Sequence, residues 1–401
     1  MRVTVAAALL GFAAAMFAAT DARPEALASA PAPLLKPGLP VDWWFVFKLN
    51  SAVFPGCGGT NRSCPFGGTV QNYRTFGQQY VYASSDQPAL TQGGGCVGDS
   101  TNDPLGATFD QVFNAKANFV IWNDQFYGHP LANRPAPWGH SKGMVAWSDA
   151  GEGVLLQVST PSWPAAGSKA SPRRGDGNTL GCVKDNDVEV SQHFFAVRLT
   201  KDDLVTVLHA LAQASVVTDP TVKEIVHNGG PPDVQKLVSG LGRLSAADGE
   251  FRGTLSTGIQ VLAKPSRLQV PPWQMVSALL GGPALRTATW WTTPTIPSTT
   301  ASTRIRCWDS GLGTPGAVEI ATDGRWNGQA FSLKGGAGAN ANHAKVGVST
   351  SGAHPFVIFG DLNQQGALAG DCGSSQNGRG GLFLVVENTA LASSVSSLIG
   401  G

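Results

Sequence analysis

The chain has 401 residues, too many for one compact core and about right for two lobes. With 42% of residues hydrophobic and 14% charged, it reads as a soluble globular protein with a large core and not as a mainly disordered one. A net charge of +1 by itself predicts no polyanion partner. The seven histidines qualify that, since their protonation in an acidic compartment would make nucleic-acid affinity rise as pH falls.

The chain opens with MRVTVAAALLGFAAAMFAAT, one Arg before an Ala- and Leu-rich apolar run and then small residues. This is the layout of a signal peptide over residues 1–22, with cleavage as late as residue 30. A retained anchor is the alternative, and no later stretch is apolar enough to span a bilayer. Residues 23–40 form a Pro/Ala-rich leader, expected to be mobile. An N-terminal lobe, 41–200, begins at VDWWFVFKLN and continues with strand candidates QYVYAS, ANFVIWND, GMVAW, GVLLQVS and HFFAVRL.

The character then changes. TKDDLVTVLHALAQA has apolar residues at helical spacing, with Thr200 as N-cap and acidic residues in the first turn. PPDVQKLVSGLGRL and PPWQMVSALLGG each carry Pro at the start of a helical pattern and Gly near its end. Residues 201–300 are therefore expected to be a helical middle region. Strands resume in a C-terminal lobe, 301–401, with AVEIAT, AKVGVST, PFVIFGD and GLFLVVEN, and a helix from about Thr389 closes the chain. The fold class is α/β with two lobes, sheets flanked by helices.

Six cysteines (Cys57, Cys64, Cys96, Cys182, Cys307 and Cys372) in an exported chain point to disulfides. Cys57 and Cys64 are close enough for a local loop, and the other pairings stay open. No C-x-x-C pair is present, which speaks against a zinc site.

Each lobe carries one H-x-K: His140 with Lys142 in GHSKGMVAW, and His343 with Lys345 in NHAKVGV. In a strand, residues i and i+2 share a face, so each pair can project together. Two imidazoles and two ammonium groups in one pocket suit phosphodiester chemistry. A neutral imidazole attacks phosphorus, a protonated one donates to the leaving oxygen, and the lysines offset the phosphoryl charge. No metal or other cofactor is required. Like-charge repulsion from the lysines should lower the histidine pKa values, and activity should be bell-shaped towards acid. The competing reading is that both pairs are ordinary strand-surface residues. His129, His193, His209, His227 and His354 are expected to be structural or solvated. A metal nuclease would use Asp124 or Asp361, but too few carboxylates surround them. There is no G-x-S-x-G elbow for a serine hydrolase.

Around these residues the sequence resembles the deoxyribonuclease II family. The aromatic strand DWWFVFKLN (42–50), YVYASSD (80–86), WNDQ (122–125), GHSKGMVAWSDAGEGVLLQVSTPSWP (139–164), NHAKVGV with FVIFGDLNQQG (342–366), and RGGLF (379–383) follow the family's segments in order. The resemblance implies a two-lobed, pseudo-twofold, phospholipase D-like fold with both H-x-K motifs at the lobe interface. It also implies metal-independent hydrolysis of DNA in acid, leaving 3′-phosphate and 5′-hydroxyl ends. Carried over, His140 is the nucleophile, His343 the general acid, and Lys142 and Lys345 hold the scissile phosphate. Asn363 is a phosphate ligand or a turn residue. Asp124 and Gln125 orient a catalytic residue or cap a strand end. Asp361 holds an imidazole tautomer or is a turn residue.

Some features depart from the family pattern. Gln157 stands where a His is usual, and Trp147 and Thr350, five residues after the motif lysines, are not the Asp of phospholipase D. DNA contacts beyond the pocket should go mainly to phosphates. Arg379 is a candidate for them, whereas Arg173 and Arg174 read as plain loop charges. No membrane partner is expected after signal removal, and a homodimer is left open. The expected location is secreted or periplasmic, or lysosomal in a eukaryote, where NRS at 61–63 would be a glycosylation sequon. A phosphodiesterase acting on RNA or phospholipid, and a non-catalytic secreted binding protein, are the alternatives.

Overall fold

The computed structural model describes residues 30–56, 61–63, 69–71, 79–98, 100–113, 115, 117–126, 131–161 and 189–400. The signal-peptide reading and the expectations for Cys57, Cys64, His129, Arg173, Arg174 and Cys182 fall outside them.

Fifteen strands build two large sheets. The first uses β1 (Trp43–Lys48), β2 (Tyr80–Ser84), β3 (Thr91–Gln92), β4 (Asn118–Asn123), β5 (Lys142–Trp147), β6 (Gly153–Val158), β7 (Gln192–Leu199) and β8 (Val226–His227). The second uses β9 (Phe251–Thr254), β10 (Gln260–Lys264), β11 (Leu285–Ala288), β12 (Val318–Ile320), β13 (Val346–Ser349), β14 (Phe356–Gly360) and β15 (Gly381–Glu387). The helices are α1 (Pro104–Phe113), α2 (Lys201–Gln213), α3 (Pro232–Ser239), α4 (Pro272–Leu279) and α5 (Thr389–Leu398). Three two-stranded ribbons complete the described strands.

The spatial orders are β8-β4-β5-β6-β7-β1-β2-β3 and β9-β10-β15-β14-β13-β11-β12. One unit recurs in both: β1–α1–β4–β5–β6–β7–α2 in the first sheet and β10–α4–β11–β13–β14–β15–α5 in the second. In each unit the first strand lies beside the last, so β1 pairs with β7 and β10 with β15.

The central strands are buried along their whole length, as in WWFVFK of β1 and KGMVAW of β5. They therefore lack the in–out alternation of a half-exposed strand. Phe45 of β1 stands opposite Phe195 of β7, and both rings pack on Phe359 of β14, with centroids 4.6 and 4.3 Å away. These three rings join the two sheets in one core. A disulfide between Cys307 and Cys372 closes a 65-residue separation, and Cys96 is also disulfide-bonded.

Two expectations differ from what is observed. Residues 201–300 hold α2, α3 and α4 as expected, but also strands β9 to β11. Those strands are four or five residues long, and β10 pairs with β15 more than a hundred residues later, a partnership that leaves no local periodicity. The end of the leader is also structured. Residues 34–36 and 39–40 pair as a ribbon, anchored where the Leu34 N–H donates to Thr108 Oγ1 at 3.0 Å.

Candidate active site

The two H-x-K motifs do not sit within strands. Each histidine lies in the approach to one, with β5 starting at Lys142 and β13 at Val346. What brings them together is an exchange of backbone hydrogen bonds between the sheets. The His140 N–H donates to Gly380 O, just before β15, and the His343 N–H donates to Ser191 O, just before β7, both at 2.8 Å.

Lys142 Nζ meets Asp124 Oδ1 at 2.7 Å, with both side chains buried. The other oxygen of Asp124 takes Arg379 Nη2 at 2.8 Å. Burial alone would raise the Asp124 pKa, but Lys142 and Arg379 hold it well below the usual carboxylate range. Arg379 also donates to three carbonyls, those of Trp138 (2.9 Å), Arg134 (2.9 Å) and Gly139 (3.2 Å). Read from sequence as a candidate DNA contact, it holds Asp124 and the 134–139 segment in this structure. Such charge-assisted, multiply bonded guanidinium contacts are strong and directional.

His140 Nδ1 lies 2.9 Å from the backbone carbonyl of Asp361. A carbonyl only accepts, so the neutral ring carries its proton on Nδ1 and leaves Nε2 with a lone pair. Burial first, then the positive charges of Lys142, Arg379 and Lys345, push the His140 pKa well below its ordinary value, with Asp124 opposing. Lys345 belongs to the second motif, and its carbonyl accepts from the Gly360 N–H at 2.9 Å, one residue from the Asp361 carbonyl that meets His140, so the two motifs converge on this stretch.

The Asp361 carboxylate faces elsewhere. It accepts from Leu382 N (2.8 Å) and Gln157 Nε2 (3.0 Å), and it shares a hydrogen bond with Ser141. Ser141 Oγ in turn accepts from Trp122 Nε1 at 2.8 Å. Burial pushes the Asp361 carboxyl up to about 7 despite these donors. The tautomer of His140 is thus set by the main chain of Asp361, not by its side chain.

His343 is half-buried. Its Nε2 lies 2.9 Å from Gly336 O, and its ring stands perpendicular to that of Trp290 in a T-shaped contact. Lys345 Nζ donates to His343 O at 2.7 Å, while the Lys345 N–H donates to His193 Nδ1 at 3.1 Å. His193, set aside as structural from sequence, therefore buttresses the second motif. Burial and Lys345 keep its pKa well below the ordinary value. Asn363 is buried and bonds with Gln365 Oε1 (3.1 Å) and Gln376 Oε1 (3.4 Å). Gln125 is half-buried, and its N–H donates to Asn123 Oδ1 at 2.8 Å, a turn contact.

Sequence reasoning missed Ser141, Trp122 and His193 as members of this network and noted Gln157 only as a departure. Position x of H-x-K was the one available signal for Ser141. Among the described residues no three His, Cys, Asp or Glu side chains gather as a metal-holding set. The two carboxylates nearest the histidines are already taken up by Lys142, Arg379, Gln157 and Leu382.

A family model described as Deoxyribonuclease II matches residues 34–400. The chain belongs to the deoxyribonuclease II family. It is similar to cell-death-related nuclease 7 of Caenorhabditis elegans, 23% identical over 372 residues, which are 88% of this chain and 82% of that protein. It is also similar to deoxyribonuclease-2-alpha of Sus scrofa, 27% identical over 153 residues, covering 36% and 37% of the two chains. Among solved structures, a histidine-to-asparagine mutant of yeast tyrosyl-DNA phosphodiesterase aligns over 63% of this chain and 69% of its own. That alignment has a TM-score of 0.29 and 9% identity, too low to bear on the fold. Membership of the deoxyribonuclease II family supports a nuclease with DNA as substrate. Among the described residues no helix is long and apolar enough to cross a membrane.

Proposed function

We propose that the chain is an exported acid endodeoxyribonuclease that hydrolyses DNA without metal through a phosphohistidine, leaving 3′-phosphate and 5′-hydroxyl ends. The observation that carries this is the His140 ring, bonded through Nδ1 to Asp361 O at 2.9 Å and depressed in pKa by burial and three nearby cations. A lowered pKa favours the neutral imidazole over the imidazolium of an unperturbed histidine, and Nε2, opposite the bonded Nδ1, is the nucleophile.

In the first step Nε2 forms a bond to phosphorus and the P–O5′ bond breaks, while His343 as imidazolium gives its proton to the departing 5′ oxygen. In the second, His343 takes a proton from water, the water oxygen bonds to phosphorus, and the P–N bond breaks to release the 3′-phosphate and neutral His140. Lys142, fixed by Asp124, and Lys345 stabilise the non-bridging oxygens as charge builds. The recurrence of one strand–helix unit in both sheets favours a pseudo-twofold, phospholipase D-like arrangement with the site on the axis. Export rests on the apolar N-terminal segment.

The test is cleavage of supercoiled plasmid by the mature protein in excess chelator, from about pH 4 to about pH 8. Cutting that peaks in acid and ignores the chelator is expected, with His140→Ala abolishing turnover while DNA binding is largely kept. Cutting only after divalent metal is restored, or wild-type rates from His140→Ala, would overturn the mechanism. Inactivity on DNA under both conditions would favour an RNA or phospholipid substrate, or a binding protein.

A further inference from the structure

Two fully buried lysines lie beside the site without belonging to either H-x-K motif. Lys48 closes β1 and Lys264 closes β10. They occupy matching places in the recurring unit, with Lys48 opposite Gln192 at the start of β7 and Lys264 opposite Gly381 at the start of β15. Each reaches the carbonyl two residues before its partner. Lys48 Nζ donates to Val190 O. Lys264 Nζ donates to Arg379 O at 3.0 Å, and also to Asn377 O (2.6 Å) and Pro265 O (3.3 Å). The very next carbonyls, Ser191 O and Gly380 O, take the N–H groups of His343 and His140. The connection crosses between sheets: the lysine of the first sheet supports the histidine of the second, and the reverse.

We propose that Lys48 and Lys264 are positioning residues, Lys48 for His343 and Lys264 for His140, each fixing the backbone step from which its histidine hangs. The chemistry of the pair favours this over simple core filling. An ammonium buried at zero exposure is costly compared with an apolar side chain of the same length. Only a group with several directed donors can pin a turn of irregular backbone whose carbonyls would otherwise go unpaired. All three donors of Lys264 are directed at carbonyls. Burial brings its pKa down to about 7, which leaves the ammonium charged in the acidic range where the enzyme is proposed to work.

This inference rests on the His140-nucleophile and His343-acid reading, and that reading provides a discriminating test. Lys48→Met and Lys264→Met are each assayed on plasmid DNA and on a thymidine 3′-phosphodiester whose leaving group is 4-nitrophenol. Nitrophenolate departs without a proton, so misplacing the acid costs little in the burst of its release, the step before His343 must act as base, whereas misplacing the nucleophile slows the first step equally on both substrates. For Lys48→Met, the first-turnover rate should fall by roughly 100-fold on DNA and by less than about 5-fold in the nitrophenolate burst from the ester. For Lys264→Met it should fall by roughly 100-fold on both, with KM changed by no more than about 3-fold. Equal losses of first-turnover rate on both substrates for Lys48→Met, or wild-type kcat per folded molecule in either variant with only Tm lowered, would overturn the proposal. If a Met variant does not fold, the Gln variant, which keeps one neutral donor, is expected to show the same pattern at smaller amplitude, and its absence counts equally against the proposal. Wild-type protein that fails on DNA in chelator, or a His140→Ala variant that still turns over, defeats the parent mechanism instead and is separately visible.

Discussion

Asp361 divides its work between main chain and side chain. Its carbonyl orients His140, while its carboxyl, raised to about 7 by burial, is neutral through most of the acidic range. The consequence for stability has a definite sign. Between an unfolded pKa near 3.9 and about 7 the folded state holds a proton that the unfolded state has lost, so this contribution is full in acid and fades as pH rises. The Tm difference between wild type and Asp361→Asn should therefore shift against wild type as pH is raised from about 4 to about 7. A difference that stays flat across that range would refute the raised carboxyl. His140, depressed in pKa, works the other way, since its contribution is lost as pH falls below the ordinary histidine value. Because His140 is present in both proteins, its effect largely cancels in the comparison. Lys142, Lys345 and both histidines stand out as candidates from H-x-K spacing alone. The commitment of Arg379 to Asp124 was not, because nothing local distinguishes a loop arginine that meets DNA from one that meets a carboxylate 255 residues away.

At the scale of elements, α2 shows how local signals succeed. Thr200 Oγ1 accepts from Asp203 N at 3.2 Å while the Asp203 carboxylate takes Thr200 N at 2.9 Å, the reciprocal cap that the sequence around 200–203 announces. Asp203 reaches further than a cap requires, accepting from the Ser256 N–H at 2.7 Å and from its hydroxyl, which ties α2 to the turn between β9 and β10. Thr200→Ala should cost about 1 kcal/mol. Asp203→Ala should cost about 2 kcal/mol, because Ser256 loses its acceptor as well. Urea denaturation of both variants checks the order, and equal losses would mean the link to Ser256 contributes nothing. The strands β9 to β11 are the counterpart. Apart from the local β9–β10 hairpin, their pairings are with β12, β13 and β15 further along the chain, so the neighbouring helical patterns dominated the reading of 201–300.

For the whole molecule, the deciding contact is aromatic. Phe359 lies against Phe45 and Phe195, and the same interface places Gln157 on Asp361 and His140 on the chain at 361 and 380. Phe359→Ala should cost roughly 3–5 kcal/mol and should also lower kcat, because the two motifs share no sheet and this packing holds together the sheets whose exchanged backbone hydrogen bonds register them. Denaturation and plasmid cleavage measured on the same preparation test both halves, and a destabilised variant with unchanged kcat would show that registration lies elsewhere.

The sequence by itself determined four of the five described helices, with the Thr200 cap of α2, most strands of the first sheet, the two H-x-K segments on which the proposed chemistry rests, and the resemblance that the family match bears out. All of these are written in spacing, periodicity and residue type within a few positions. The tertiary structure alone decided which atom of Asp361 faces His140, which anion occupies Arg379, and which backbone steps Lys48 and Lys264 hold. Each of these joins residues far apart in the chain, and its free energy exists only once the two sheets have packed and excluded water. No local pattern records it, because no local conformation depends on it.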